Sequence, residues 1–235
     1  MGTEALVPRL VAALGDTLEA VVLFGSAAGN EHHAAHSDLN VLVLLTRLGG
    51  AELSPALAAI TRDWASAGHS APLIMTTAEF RRSTDIFAIE VSDILARHRV
   101  LHGRAPFDGL LVAPRDLRFQ LEQEAMGKLL KLRGAILAAL DDPERQRQLL
   151  AKSFSTFMVL FRALERLAGE APASSTEVLV ASVAARVGLD PAPWMTVLRH
   201  RRGEAPLADL ASVVAGYLAG AEKLAAYVDV YPSGQ

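Results

Sequence analysis

The sequence predicts two domains, an α/β domain over residues 1–113 and an all-α helical bundle over residues 114–235. Short β-rich runs alternate with helical patterns only in the first part, which is typical of a layered α/β domain. Long apolar stripes at helical spacing fill the second part. Residues that break regular structure cluster at the boundary between the two parts. They are Gly103, Pro106, Gly109 and Pro114.

The first domain reads as helices and short strands in alternation. Residues 18–24 are a short β-rich run that ends at Gly25-Ser26, and residues 39–45 are a nearly continuous apolar run, which is typical of a strand covered on both faces. The remaining elements follow the same two patterns: helices over 4–14 and 53–67, and further strands over 71–76 and 99–102. Because strands and helices alternate, we expect a sheet with helices packed on it.

The second domain begins with a long helical stripe over residues 117–140. Asp142-Pro143-Glu144 then opens another long helix, since proline is favoured in the first turn, and this helix is expected to run to about residue 168. Shorter helices are predicted over 176–187, 191–200 and 206–228. No strand is expected after residue 115, so this part should be a helical bundle.

Composition excludes several classes of protein. With 51% hydrophobic residues the 235-residue chain is too apolar to be disordered. The absence of cysteine excludes disulfide frameworks, thiolate zinc sites, iron–sulfur clusters and a cysteine nucleophile. No apolar run approaches the roughly 18 residues of a membrane span, and the N-terminus lacks a targeting signal, so a cytoplasmic protein without membrane partners is expected. A net charge of −3 gives no strong nucleic-acid signal.

One segment carries the pattern of a phosphate and metal site. The first strand ends at Gly25-Ser26, a loop containing Gly29 follows, and Asp38 and Asn40 lead into the second strand. Gly25 allows a close approach of the backbone, and Ser26 with the following amides can open a short helix whose N–H groups face an anion. Asp38 and Asn40 point to the same side of the strand. A phosphate cradle beside an acidic ligand is what nucleotidyl transfer with Mg²⁺ requires.

Residues 24–45 resemble the signature of the DNA polymerase β-like nucleotidyltransferase superfamily: an apolar strand, Gly-Ser, a loop with a glycine, and Asp-x-Asp on the next strand. The helical tail resembles the bundle appended to bacterial antibiotic nucleotidyltransferases. The resemblance implies a nucleotidyltransferase-like domain with a mixed sheet, a nucleoside triphosphate as ligand, Mg²⁺ as cofactor and an unknown acceptor. It implies that Gly25 and Ser26 bind the nucleotide and that Asp38 and Asn40 are catalytic and metal-binding. A homodimer is left open.

Two departures from this signature leave the activity open. Asn40 stands where the family has its second aspartate, and residues 71–76, where a third acid would fall, contain no carboxylate. Four acids elsewhere are candidates to replace it, or are simply solvated or paired with neighbouring Arg and Lys: Glu90, Asp93, Glu122 and Glu124. The alternative to an enzyme is therefore a catalytically inactive nucleotidyltransferase-fold protein, acting as a nucleotide sensor or as a regulatory, antitoxin-like partner.

Two clusters of basic side chains have competing interpretations. His32, His33 and His36 crowd the loop before Asp38 and are either a polar loop or a ligand contact. Residues 199–202, Arg-His-Arg-Arg, are either a positively charged helix end or a patch that faces phosphate.

Overall fold

The structure, a computed structural model, describes residues 1–28, 39–170 and 173–232, with Ser26 described by its backbone alone. The chain divides into two compact units, Met1–Val112 and Ala113–Gln235. In the described residues, no helix combines the length and apolar character needed to cross a membrane.

The first unit contains a mixed sheet, as the sequence predicts. Its strands in the described residues are β1 (Leu18–Phe24), β2 (Asn40–Leu45), β3 (Leu73–Thr76) and β4 (His98–Gly103). They lie in the order β3-β2-β1-β4. β1 is antiparallel to both of its neighbours, β2 and β4, whereas β3 runs parallel to β2. The predicted strand pair is confirmed, with β1 and β2 side by side.

Helices cover both faces of this sheet. They are α1 (Thr3–Leu14), α2 (Pro55–Ser66), α3 (Thr77–Arg82) and α4 (Ala88–Ala96). Val21, Leu23 and Trp64 belong to one buried cluster, together with the apolar sides of α1 and α2. The alternate strand residues, such as Val22, face a second cluster that includes Phe80 from α3 and Val91 and Ile94 from α4. Both faces are buried in the middle of the sheet, and this explains why residues 20–24 of β1 and 41–45 of β2 are continuously apolar.

The short helices α3 and α4 are missing from the sequence-based prediction. α3 has only six residues and is defined by a capping box, in which Thr76 and Glu79 satisfy each other's backbone N–H groups. α4 has nine residues and is mostly buried, so its sequence lacks the polar face that marks an amphipathic helix.

The stretch that follows β4 also belongs to the first unit. Four of its side chains pack against the second cluster: Ala105, Phe107, Leu110 and Val112. Phe107 stacks obliquely on Phe80, with ring centroids 5.3 Å apart, and meets His98 edge-on at 4.9 Å. The glycines and prolines here therefore shape a packed segment as well as a boundary.

The described residues of the second unit form helices joined by loops and contain no strand, as predicted. Its helices are α5 (Pro114–Ala138), α6 (Pro143–Leu167), α7 (Thr176–Val187), α8 (Pro191–Arg201) and α9 (Leu210–Asp229). The predicted stripe of α5 is buried from Leu117 to Ile136. Leu140 is wrongly placed in that stripe, because α5 ends before it and its side chain is 64% exposed. α9 begins at Leu210 and not near 206, because Asp209 caps its N-terminus.

An aromatic cluster forms the core of the second unit. Trp194 stacks on Tyr217 with ring centroids 3.9 Å apart. Three phenylalanines of α6 surround the pair: Phe154, Phe157 and Phe161. α8 comes close to α9 because Gly220 has no side chain; a Cβ there would lie 2.5 Å from Nε1 of Trp194.

Candidate functional site

The Gly-Ser pair lies at the end of β1. Residues Gly25–Ala28 form a single 3₁₀ turn directly after the strand. The antiparallel register sets Asn40, the first residue of β2, opposite Phe24, the last residue of β1. Gly25 and Asn40 therefore share one end of the sheet, and the chain between them includes the residues that the structure does not describe.

Gly25 leaves a space that polar atoms line. Its φ of +77° lies in the left-handed region, where a side chain is strained. A Cβ at this position would lie 3.4 Å from Nδ2 of Asn40 and 3.8 Å from Oδ2 of Asp93. One point beside the backbone of Gly25 thus has an amide and a carboxylate within 4 Å. The absence of a side chain keeps this niche open between them.

Asp93 reaches the niche from α4 and is only 8% exposed. Its Oδ1 lies 3.9 Å from Nη2 of Arg97, one turn further along. Gly25 in turn donates its backbone N–H to the carbonyl oxygen of Arg97, at 3.3 Å. The end of α4 is therefore tied to the end of β1, and it brings the carboxylate of Asp93 to the niche.

The start of β2 is held by a histidine. The backbone N–H of Leu39 donates to Nδ1 of His69 at 3.4 Å, and Nε2 of His69 lies 3.1 Å from the carbonyl oxygen of Met1. Because Nδ1 accepts here, the ring proton belongs on Nε2, which donates to Met1. The ring also packs on Trp64 at a centroid distance of 4.3 Å. These contacts fix the backbone directly before Asn40.

The other candidate acids have different surroundings. Glu90 is half-buried on α4, one turn before Asp93. In the second unit, Glu122 pairs with Arg118 at 3.1 Å, and Glu124 pairs with Lys128 at 3.0 Å. These pairs match the interpretation of Glu122 and Glu124 as surface acids with basic neighbours.

Several sequence-based candidates lie outside the described residues: Asp38, His32, His33 and His36, together with the side chain of Ser26. Arg97, whose carbonyl oxygen accepts from Gly25, is not predicted as a site residue from the sequence. No local signal marks it, because its place depends on how α4 packs against β1.

The basic run at the end of α8 is used within its own unit. Arg202 pairs with Glu177, and its Nη1 lies 3.7 Å from Oε1 of Glu204. The guanidinium of Arg201 lies 5.3 Å from the ring centroid of Phe154, a cation–π distance. These contacts favour the structural interpretation of the run over a phosphate-facing patch.

The carboxylate beside the niche suits a hard cation, because Oδ2 of Asp93 is an oxygen donor of the kind that Mg²⁺ accepts. The atom of Asn40 that lines the niche is the amide nitrogen Nδ2, so Asn40 would serve as a ligand only by turning its Oδ1 to this side. Among the described residues no cluster of three or more His, Cys, Asp or Glu side chains could hold a metal ion.

Comparison with known proteins identifies the fold. Neither a protein-family model nor a curated protein sequence matches the chain. Among solved structures, the chain is similar to spectinomycin adenyltransferase AAD(9) from Enterococcus faecialis, crystallised with ATP and spectinomycin. The TM-score is 0.61 at 13% sequence identity, over 95% of this chain and 99% of the other. The likeness spans both units. The chain thus has the two-part fold of a nucleotidyltransferase, which confirms the resemblance at the level of fold.

Proposed function

We propose that the chain binds a nucleoside triphosphate with Mg²⁺ and transfers the nucleotide to the hydroxyl or amine of an acceptor. In this proposal Gly25 and Ser26 bind the triphosphate, and Asp38 and Asn40 hold the metal. The observation that carries it is the meeting of Gly25, Asn40 and Asp93 at the end of β1. Asp93 supplies a carboxylate near Asn40, which stands where the family signature has an aspartate.

The fold supports the same proposal. The similar structure holds ATP, so ATP is the nucleotide to test first, and spectinomycin is one acceptor to test. The chain's own acceptor is unknown. For that reason, the decisive experiments should not depend on it.

Each residue has a defined part in the transfer. The acceptor atom attacks the α-phosphorus, the bond to the bridging oxygen breaks, and pyrophosphate leaves. When bound, Mg²⁺ neutralises charge on the phosphates. Asp93 is the carboxylate that takes the acceptor's proton, because it lies beside the niche at Gly25. Arg97, 3.9 Å from Asp93, adds a positive charge near the phosphates.

The binding step is tested by calorimetric titration of Mg·ATP into the parent and three variants. Asp38→Ala should abolish metal-dependent binding. Ser26→Ala should weaken it by about 1–2 kcal/mol, since one charge-assisted hydrogen bond is lost. Asn40→Asp should strengthen Mg²⁺ affinity, because it supplies the missing charge. Unchanged binding in Asp38→Ala would show that the segment is an inherited scaffold and not a site.

The transfer step is tested by release of pyrophosphate from Mg·ATP, with water as the acceptor. Asp93→Asn should keep ATP binding and lower this rate about 100-fold or more, the usual contribution of a general base. Glu90→Gln is the matched control, since it neutralises an acid one turn away on the same helix. A loss of rate in Glu90→Gln alone would refute the role given to Asp93.

A second candidate function is nucleotide binding without transfer, as a sensor or as a regulatory, antitoxin-like partner. It is favoured by Asn40 and by β3, whose residues Leu73–Thr76 carry no carboxylate. Saturating ATP should raise the unfolding temperature under either function, because any ligand of the native state stabilises it. Binding without any pyrophosphate release, in the parent and in Asn40→Asp, would decide for this second function.

A further inference from the structure

His69 takes the place of a strand partner at the start of β2. The described pairing of β2 with β1 ends at Asn40, and its pairing with β3 begins only at Leu42. Leu39 therefore lies beyond both ladders of the described sheet, although it is half-buried. A backbone N–H at such a position requires a hydrogen-bond partner. Nδ1 of His69 is that partner, at 3.4 Å from the backbone nitrogen of Leu39.

The ring of His69 is itself held in place. Its Nε2 lies 3.1 Å from the carbonyl oxygen of Met1, and its face packs on the ring of Trp64. Trp64 is fully buried, and its indole N–H donates to the carbonyl oxygen of Ser70 at 2.9 Å, which fixes the residue next to the histidine. Because Nε2 carries the ring proton, Nδ1 has the lone pair that accepts. The ring thus presents one acceptor at a defined position to the start of β2.

The N–H that accepts this restraint belongs to the backbone between the two residues proposed to bind the metal. Leu39 stands directly between Asp38 and Asn40 in the sequence. A peptide group is planar, so an acceptor on its N–H restrains the rotation of the whole group. The histidine therefore acts on the stretch of backbone from which both proposed ligands extend.

We propose, on the premise of the proposed function, that His69 is a positioning residue for the metal: it sets the direction in which Asp38 and Asn40 leave the strand. Both of its ring nitrogens are engaged by the backbone, so it is not itself a ligand. Mg²⁺ demands near-ideal geometry, and a small displacement of a ligand weakens its binding. Gly25 is held separately, by the carbonyl oxygen of Arg97. Loss of the histidine contact should therefore act on the metal and leave the phosphate contacts at Gly25 in place.

Two amide substitutions separate the two hydrogen bonds of His69. In His69→Asn, Oδ1 stands as many bonds from Cα as Nδ1 of histidine does, so it can still accept from Leu39. In His69→Gln, the amide lies one carbon further out, so it can contact Met1 but leaves the N–H of Leu39 without its acceptor. Both variants lose the ring that packs on Trp64, so their unfolding temperatures should fall by similar amounts.

The experiment is calorimetric titration of ATP into the parent and both variants, once with excess Mg²⁺ and once in EDTA. His69→Gln should weaken binding with Mg²⁺ about tenfold, because a backbone donor is left unsatisfied, and should leave binding in EDTA unchanged. His69→Asn should stay within about threefold of the parent in both conditions. Ile60→Val is the control for stability alone, since it removes one methyl from the same buried cluster and no hydrogen bond. It should lower the unfolding temperature and change neither affinity.

The results distinguish the role of His69 from the proposed function. A parent that binds ATP equally with Mg²⁺ and in EDTA refutes the proposed metal site, and the role of His69 with it. If the parent does require Mg²⁺, an unchanged affinity in His69→Gln overturns the role of His69 alone. A loss of the same size in His69→Asn, or a loss that is equal with Mg²⁺ and in EDTA, overturns it too, because the histidine then supports the fold and not the metal ligands.

Discussion

Replacing Gly25 by alanine separates the strain at the end of β1 from the function of the niche. A non-glycine residue at φ +77° costs about 1–2 kcal/mol. Roughly 0.4–1 kcal/mol of this is offset, because alanine has less conformational freedom than glycine in the unfolded chain. The expected net loss of stability is therefore about 1 kcal/mol. The new methyl would also lie 3.4 Å from Nδ2 of Asn40 and fill the niche.

Gly109 supplies a matched control in the same unit. Its φ is +72°, and nothing lies within 4 Å of the place of its Cβ. Gly109→Ala should therefore lose about the same stability as Gly25→Ala in urea unfolding. Only Gly25→Ala should also weaken Mg·ATP binding, by about tenfold or more, because the new methyl fills the space beside the backbone that a phosphate would occupy. If both variants bind Mg·ATP as tightly as the parent does, the niche is not the nucleotide site.

Two further predictions concern the second unit. Gly220→Ala should lower the unfolding temperature although alanine is the better helix former, because the new Cβ would lie 2.5 Å from the buried indole nitrogen of Trp194; an unchanged or raised temperature would contradict this contact. The hydrogen bond from Arg202 lowers the pKa of Glu177 from 4.5 to about 2. The stabilisation is complete above pH 4.5 and is lost as the pH falls towards 2, so Glu177→Gln should flatten thermal stability across that window. A parallel pH profile in parent and variant would count against the pair.

The local pattern of the sequence was sufficient for most of the fold. β1 occupies residues 18–24 as predicted, because strand residues that alternate between two buried faces form an apolar run, which here extends from Ala20 to Phe24. The helices of six and nine residues were missed, since a capping box and a buried helix leave little periodicity to detect. The end of α5 was placed too late, because Leu140 continues the apolar spacing although it lies beyond the helix.

From the sequence, the candidate site can be predicted only for residues on neighbouring elements of the chain. Two neighbouring antiparallel strands place Gly25 and Asn40 at the same end of a sheet by register alone. The position of Asp93 depends on α4 packing beside a strand that lies far away in the sequence. If residues 88–96 are helical, spacing sets Glu90 and Asp93 on one face, but it cannot tell which of the two approaches Gly25.

The packed segment after β4 decides where the chain can be cut. Phe107 and Leu110 pack on the second cluster of the first unit. A fragment that stops at Gly103 would therefore lack Phe107, the aromatic neighbour of Phe80, and would expose part of one face of the sheet to solvent. The division after Val112 keeps that cover with the sheet. Fusions, deletions and separate expression of either unit should therefore join or cut the chain at Ala113, although the glycines and prolines before it have the composition of a linker.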